Sequence, residues 1–352
     1  MTKIISLFNH KGGVSKTTTA FNLGWMIARK GKRVLLVDCD PQCNLTGMVL
    51  GLENLETADS ILGTKEGKPL NIREGLAPAF ESRPSLMAPV ECIKIPKNSN
   101  LYLMPGHIGI AEYEVTLGIA QELSGSLVTL RNLPGSLKFL IDATAKKYKI
   151  DVVMIDMSPS LGAVNQNIVS ISDYFIVPMH PDYFSSMAIN SLASVLPKWR
   201  SWAEAASSNG VLNEAEYPFP ASHPKFLGYV VQKYRPRTGA PSKAFQKWVD
   251  QLEAGIRDTL IPALNSCGMM LPATAYSAAG YEPSEPLLQM PDFNSLIASS
   301  QRHQVPIFEL TAAQLEQQGR VLKTTQVSQK AFKALFSEAA DRVLQIVDAG
   351  GA

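Results

Sequence analysis

The stretch that most limits how this chain can fold is Asn9-His10-Lys11-Gly12-Gly13-Val14-Ser15-Lys16-Thr17-Thr18-Thr19. An apolar run, Ile4-Ile5-Ser6-Leu7-Phe8, precedes it, and a helix-like pattern with Phe21, Leu23, Met26 and Ile27 follows. A strand that enters a glycine-bearing turn and leaves as a helix points several backbone N–H groups at one spot. The helix dipole favours negative charge there. Gly12, Gly13, Val14, Ser15, Lys16, Thr17 and Thr18 are therefore candidates to cradle phosphates. Lys16 adds a point charge for the outer phosphates, and the Thr17 hydroxyl is a candidate ligand for Mg²⁺.

Two further apolar runs end in acids. Arg33-Val34-Leu35-Leu36-Val37-Asp38 and Asp151-Val152-Val153-Met154-Ile155-Asp156 are of the kind buried on both faces of a parallel sheet. The first continues into Asp38-Cys39-Asp40-Pro41-Gln42-Cys43-Asn44 and the second into Met157-Ser158-Pro159-Ser160-Leu161-Gly162. Open α/β sheets bind ligands at strand carboxyl ends, so Asp38, Asp40 and Asp156 join the candidate site. Tyr174–Met179 and Phe226–Val231 read as more strands. Helical patterns run to about Lys30, from about Ser185 to Ala206 and from about Gln326 to Val347. Gly31 suits a left-handed cap after the first of these, and Pro197 is expected to kink or split the second. Buried strands alternating with helices predict an α/β fold with a doubly wound, mostly parallel sheet flanked by helices. A single domain over residues 1–352 is expected, with surface insertions at about 51–98 and 207–224.

Composition narrows the class. Apolar residues make up 45% of the 352 and charged residues 18%, which describes a globular protein able to bury a large core. No window holds a membrane-length apolar run, and the chain enters a strand directly, so no signal peptide is expected. Cys39, Cys43, Cys92 and Cys267 show neither Cys-x-x-Cys spacing nor clustered histidines, so reduced thiols in a cytoplasmic protein are expected. A net charge of +2 does not by itself imply nucleic acid.

The phosphate loop departs from the strict Walker A spelling: His10 stands at the first glycine position and Ser15 at the last. It spells Lys-Gly-Gly-x-x-Lys-Thr instead. This resembles the deviant Walker A of the ParA/MinD/nitrogenase-iron-protein superfamily, a group of P-loop NTPases. Asp38–Asn44 is close to that group's D-x-D-P-Q-x-N, residues 156–162 to its D-x-x-P-S-L-G loop that senses the γ-phosphate, and Leu101–Gly106 to a short strand of the fold. The resemblance implies an ATPase using ATP and Mg²⁺. Thr17 would ligate the metal directly, Asp38 and Asp156 would hold waters of its shell, and Asp40 would orient the attacking water. Asp40 also suits an Asx turn before Pro41. The resemblance further implies that Lys11 reaches the nucleotide of a second subunit, giving an ATP-dependent homodimer with slow hydrolysis that a ParB-like or other adaptor stimulates.

Two acid-free windows bear on the partner. Lys233, Arg235, Arg237, Lys243 and Lys247 fall in residues 233–249, and Arg320, Lys323, Lys330 and Lys333 in 317–337. Such runs are commonly solvated faces, but in ParA-type proteins the same regions carry non-specific binding to double-stranded DNA. That favours a partition or positioning ATPase acting on DNA or other cargo, associated with the nucleoid. A MinD-like membrane ATPase would end in a basic amphipathic tail. This chain ends Ile346-Val347-Asp348-Ala349-Gly350-Gly351-Ala352, so no stable membrane association is expected. An iron-protein-like reductase would need cysteines after core strands, and Cys92 and Cys267 are not so placed. A ParA-like regulatory ATPase of a defence or other system stays open.

Overall fold

The apolar runs form the centre of one sheet. In a computed structural model the described residues are 1–51, 63–123, 128–234, 236–237, 240–241, 243–292 and 296–350. The strands of the main sheet are β1 (Lys3–Leu7), β2 (Val34–Asp38), β3 (Ile93–Lys94), β4 (Leu101–Met104), β5 (Val152–Asp156), β6 (Tyr174–Met179), β7 (Lys225–Tyr234) and β8 (Leu288–Pro291). They lie in the order β8-β7-β6-β1-β5-β2-β4-β3, parallel throughout except that β3 pairs antiparallel with β4.

Alternate residues of each strand feed opposite faces, as a pleat of period two requires. Leu35 and Val37 of β2 join Val153 and Ile155 in one core, while Val34 and Leu36 join Val152 and Met154 in the other. The first core is covered by α3 (Ile72–Phe80), α4 (Glu112–Glu122), α5 (Leu133–Tyr148), α6 (Ala163–Ile171) and α7 (Tyr183–Ser207), and the second by α1 (Lys16–Arg29), α2 (Asn44–Leu50) and the long closing helix α8 (Gly319–Gly350). Helices on both faces make the sheet doubly wound. The chain leaves β1 toward β2 on one side, and later crosses to β6 on the other. The loop after β1 thus sits at the switch point where such sheets bind ligands.

Three expectations change. Of the stretch read as a surface insertion, residues 52–62 lie outside the described residues and 81–86 are exposed, but parts of the remainder from 72 onward pack into the core. Ile72 and Leu76 are buried, Gly75 faces Leu140, and Val90 N donates to Thr144 Oγ1 at 3.1 Å. A short helix containing Pro78 and a strand of two residues carry too little periodicity to be seen in the sequence. Residues 207–224 likewise lie against α5: Leu212, Tyr217 and Phe219 are buried, and Met87 N donates to Tyr217 Oη at 3.0 Å. Pro197 does not split α7, which runs unbroken from Tyr183 to Ser207. A proline inside a helix costs about 3 kcal/mol. Leu192, Leu196, Trp199 and Ala203 are buried on either side of it, and each large apolar side chain returns about 1.5–3 kcal/mol. Burial wins.

Candidate nucleotide site

The loop between β1 and α1 is held open from outside. Asn9 is buried, donates through Nδ2 to Pro178 O at 2.9 Å, and accepts from Lys11 N at 3.0 Å. Gly13 has φ 72° and Ser15 φ 60°, two left-handed residues that turn the backbone inward before the helix starts. The first turn of α1 carries Lys16 and no acid. Helix dipole and ammonium thus add at one point, an arrangement that an anion completes. Lys16 is buried; its Nζ donates to Asn9 O at 2.9 Å and Lys11 O at 3.2 Å, and burial lowers its pKa.

Parallel register sets the acids beside it. Asp38 pairs with Asp156 across β2 and β5, and Leu7 of β1 pairs with Asp156 on the other side. Both carboxylates are fully buried, and burial, reinforced by charge from neighbouring acids, pushes both pKa values up. Asp38 is partly compensated, accepting from Thr46 N at 2.8 Å and Thr46 Oγ1 at 2.6 Å. Neither oxygen of Asp156 meets a hydrogen-bond partner, although Thr17 and Lys16 lie near enough to favour its charged form. An orphaned buried carboxylate next to a threonine hydroxyl and a lysine fits a hydrated Mg²⁺ that draws its remaining ligands from phosphate. Among the described residues no cluster of three or more His, Cys, Asp or Glu forms a protein-only metal cage.

Lys16 and Thr17 border a cavity of about 500 Å³ that Gly12, Gly13, Asp40, Pro159 and Met48 also line, the size of small-ligand sites. Ile297 and Gln301 line it as well. Asp40 Oδ1 accepts from Gln42 N at 3.0 Å, so it does make the Asx turn. It also faces the cavity. The loop after Asp156 is braced by Asn165, whose Nδ2 donates to Ser158 O at 2.8 Å and Ser160 O at 2.9 Å.

Lys11 lies elsewhere. Its Nζ pairs with Asp182 at 2.5 Å, donates to Ser185 Oγ at 3.1 Å and sits over the Phe184 ring. From sequence, Lys11 had a target only through the resemblance, on a second subunit; here its partner, Asp182, caps the start of α7. Gln232 is a second contact unassigned from sequence: Nε2 donates to Ser15 O at 3.2 Å and to Thr19 Oγ1. Both partners come from strand ends beyond residue 170, where only a run of apolar residues hints at proximity to the loop.

Of the basic residues, Lys247, Arg320, Lys323, Lys330 and Lys333 are exposed, and Lys333 pairs with Glu309 at 3.5 Å. Arg235 and the side chains of Lys233, Arg237 and Lys243 lie outside the described residues. The four cysteines are free thiols, and no described helix is long and apolar enough to cross a membrane.

An uncharacterised protein of Methanocaldococcus jannaschii is 31% identical over 246 residues, covering 69% of this chain and 78% of that one. The sporulation initiation inhibitor protein Soj of Bacillus subtilis is 31% identical over 198 residues, 56% of this chain and 65% of Soj, just under two thirds of its length. Among solved structures, pNOB8 ParA bound to nonspecific DNA superposes with a TM-score of 0.58 at 20% identity, covering 99% of both chains; this supports the fold. A profile described as an AAA domain matches residues 2–204, more than half of the chain. The protein therefore belongs to the AAA-domain family, and its Lys-Gly-Gly-x-x-Lys-Thr loop sets it among the P-loop ATPases of the ParA/MinD type.

Proposed function

We propose that this protein is a ParA-like switch. It binds ATP with Mg²⁺, dimerises around the nucleotide, holds DNA without reading sequence, and hydrolyses ATP slowly until a partner stimulates it. The observation that supports this most directly is the convergence of Lys16, Thr17, Asp38, Asp40 and Asp156 on the loop after β1. Lys16 and the loop amides would bind phosphate oxygens. Thr17 and the waters held by Asp38 and Asp156 would coordinate Mg²⁺, which when bound offsets charge on the transferring group. Asp40 would orient the attacking water, and the Pro159 loop would respond to the outer phosphate. Lys11 would leave Asp182 for the nucleotide of a second copy, a charge-assisted contact worth about 1.5–3 kcal/mol and made twice by symmetry.

The Soj of Thermus thermophilus, 30% identical over 197 residues, is by name a chromosome-partitioning ATPase, and pNOB8 ParA has been captured on nonspecific DNA. With the exposed basic residues of α8, these favour DNA over a membrane as the surface bound. Calorimetry on Lys16→Ala tests the foundation: binding of ATP and of ADP should be lost together, since the lysine belongs to the cradle common to both. Unchanged ATP affinity would remove the phosphate-loop assignment.

A further inference from the structure

One departure of the phosphate loop from the Walker A spelling falls at Ser15, and the fold compensates for it from a distance. Ser15 has φ 60° and ψ 38°, a left-handed conformation that glycine adopts freely and a residue with a Cβ resists. Its hydroxyl makes no capping bond to the start of α1, so its own side chain does not hold the turn. The turn sets where the N–H groups of Lys16 and Thr17 point. A residue in such a conformation persists where its surroundings over-determine it.

Those surroundings converge on the Ser15 carbonyl. It accepts from Thr19 N at 3.0 Å, Thr19 Oγ1 at 3.0 Å and Gln232 Nε2 at 3.2 Å. Of these three donors, Gln232 alone comes from outside α1. Register brings it there. Gln232 stands opposite Met290 of β8, one residue past the pair that Val231 makes with Met179 of β6. The pleat puts it on the same face as Val230, which packs in the core that α1 covers. Gln232 is 2% exposed. A buried amide needs partners, and it finds them in Ser15 O and Thr19 Oγ1. A carbonyl oxygen can only accept, so the amide nitrogen is the end that faces Ser15.

We infer that Gln232 is a positioning residue for nucleotide binding. It holds Ser15 in the left-handed conformation that glycine would take unaided, and so keeps the loop amides aimed at phosphate. The inference rests on the ATPase reading above and assigns no contact between Gln232 and the nucleotide.

A double-mutant cycle tests it. Gln232→Met keeps length and packing and removes the donor, while Ser15→Gly removes the need for that donor. ATP and ADP binding are measured by calorimetry on the full chain, and hydrolysis is followed at varied ATP. Beside Ser15, Gln232→Met should weaken both nucleotides about three- to tenfold. KM should rise more than kcat falls, because the cradle is common to ground and transition states. In the Ser15→Gly background the same substitution should cost about twofold or less. Gln232→Asn, whose amide is one methylene short of Ser15, should repeat the pattern, and is read alone if Gln232→Met does not fold. Equal losses in the two backgrounds, no loss beside Ser15, or a fall in kcat with KM unmoved would overturn the inference. If wild type binds neither nucleotide, the ATPase reading fails, and the clamp is read from thermal unfolding alone. Gln232→Met should then lower the midpoint more beside serine than beside glycine, and equal lowering would overturn the clamp as well.

Discussion

Single residues carry the chemistry, and two of them separate its steps. Asp40 lines the cavity and is asked only to orient water, so Asp40→Ala should bind ATP and dimerise while hydrolysing about 10²–10⁴-fold more slowly. Single-turnover kinetics at the wild-type rate would move the water-orienting role into the Pro159 loop. Lys11 offers the complementary test. Asp182 both pairs with Lys11 and caps α7 by accepting from Ser185 N at 2.8 Å. Asparagine keeps a cap of equal quality and discards the charge. Asp182→Asn should therefore free Lys11 and dimerise at lower ATP concentration, whereas Lys11→Ala should bind ATP and stay monomeric. Light scattering that finds Lys11→Ala dimerising normally would end the sandwich argument.

At the scale of elements, the periodic ones were legible and the contact-dependent ones were not. Strands β2, β5 and β6 and helices α1 and α7 announce themselves through continuous or 3.6-periodic apolar residues. Residues 72–98 and 207–224 show no such period, because short pieces gain their stability from what they rest on. Gly135 of α5 records that dependence: a Cβ there would fall 2.0 Å from Tyr217 O and 2.5 Å from Pro218 O. Backbone cannot step aside as a side-chain tip can. Gly135→Ala should lower stability by roughly 1–3 kcal/mol, despite alanine's better helix propensity. Thermal unfolding would register this as a lower midpoint, and an unchanged or higher midpoint would show the 207–224 segment to be loosely laid.

For the whole molecule, ATP is proposed to set how many basic residues meet one duplex. Arg320, Lys323 and Lys330 are exposed along the first half of α8, and Lys247 is exposed on the helix Lys243–Gly255. Lys333 is already shared with Glu309 and should contribute less. With about three phosphate contacts per subunit, a dimer releases roughly six counterions, and log affinity should fall with log salt at a slope of about −5. A monomer should show about half that slope. Arg320→Ala with Lys323→Ala should flatten it and leave ATP binding intact. ATP-bound protein that failed to shift duplex DNA at low salt would exclude the DNA reading.

The sequence by itself determined the phosphate loop, the acids at the ends of β2 and β5, and the parallel sheet that joins them. Each is a local pattern, a glycine turn or an apolar run, whose meaning survives without knowledge of its neighbours. Only the tertiary structure decided that Asp38 and Asp156 are register partners and that Lys11 is paired with Asp182, 171 residues away. Nor could the chain alone show that Glu114 and Gln121 of α4 hold the start of α6. Those are long-range contacts, fixed by how strands align and where helices pack, and no spacing along the chain encodes them.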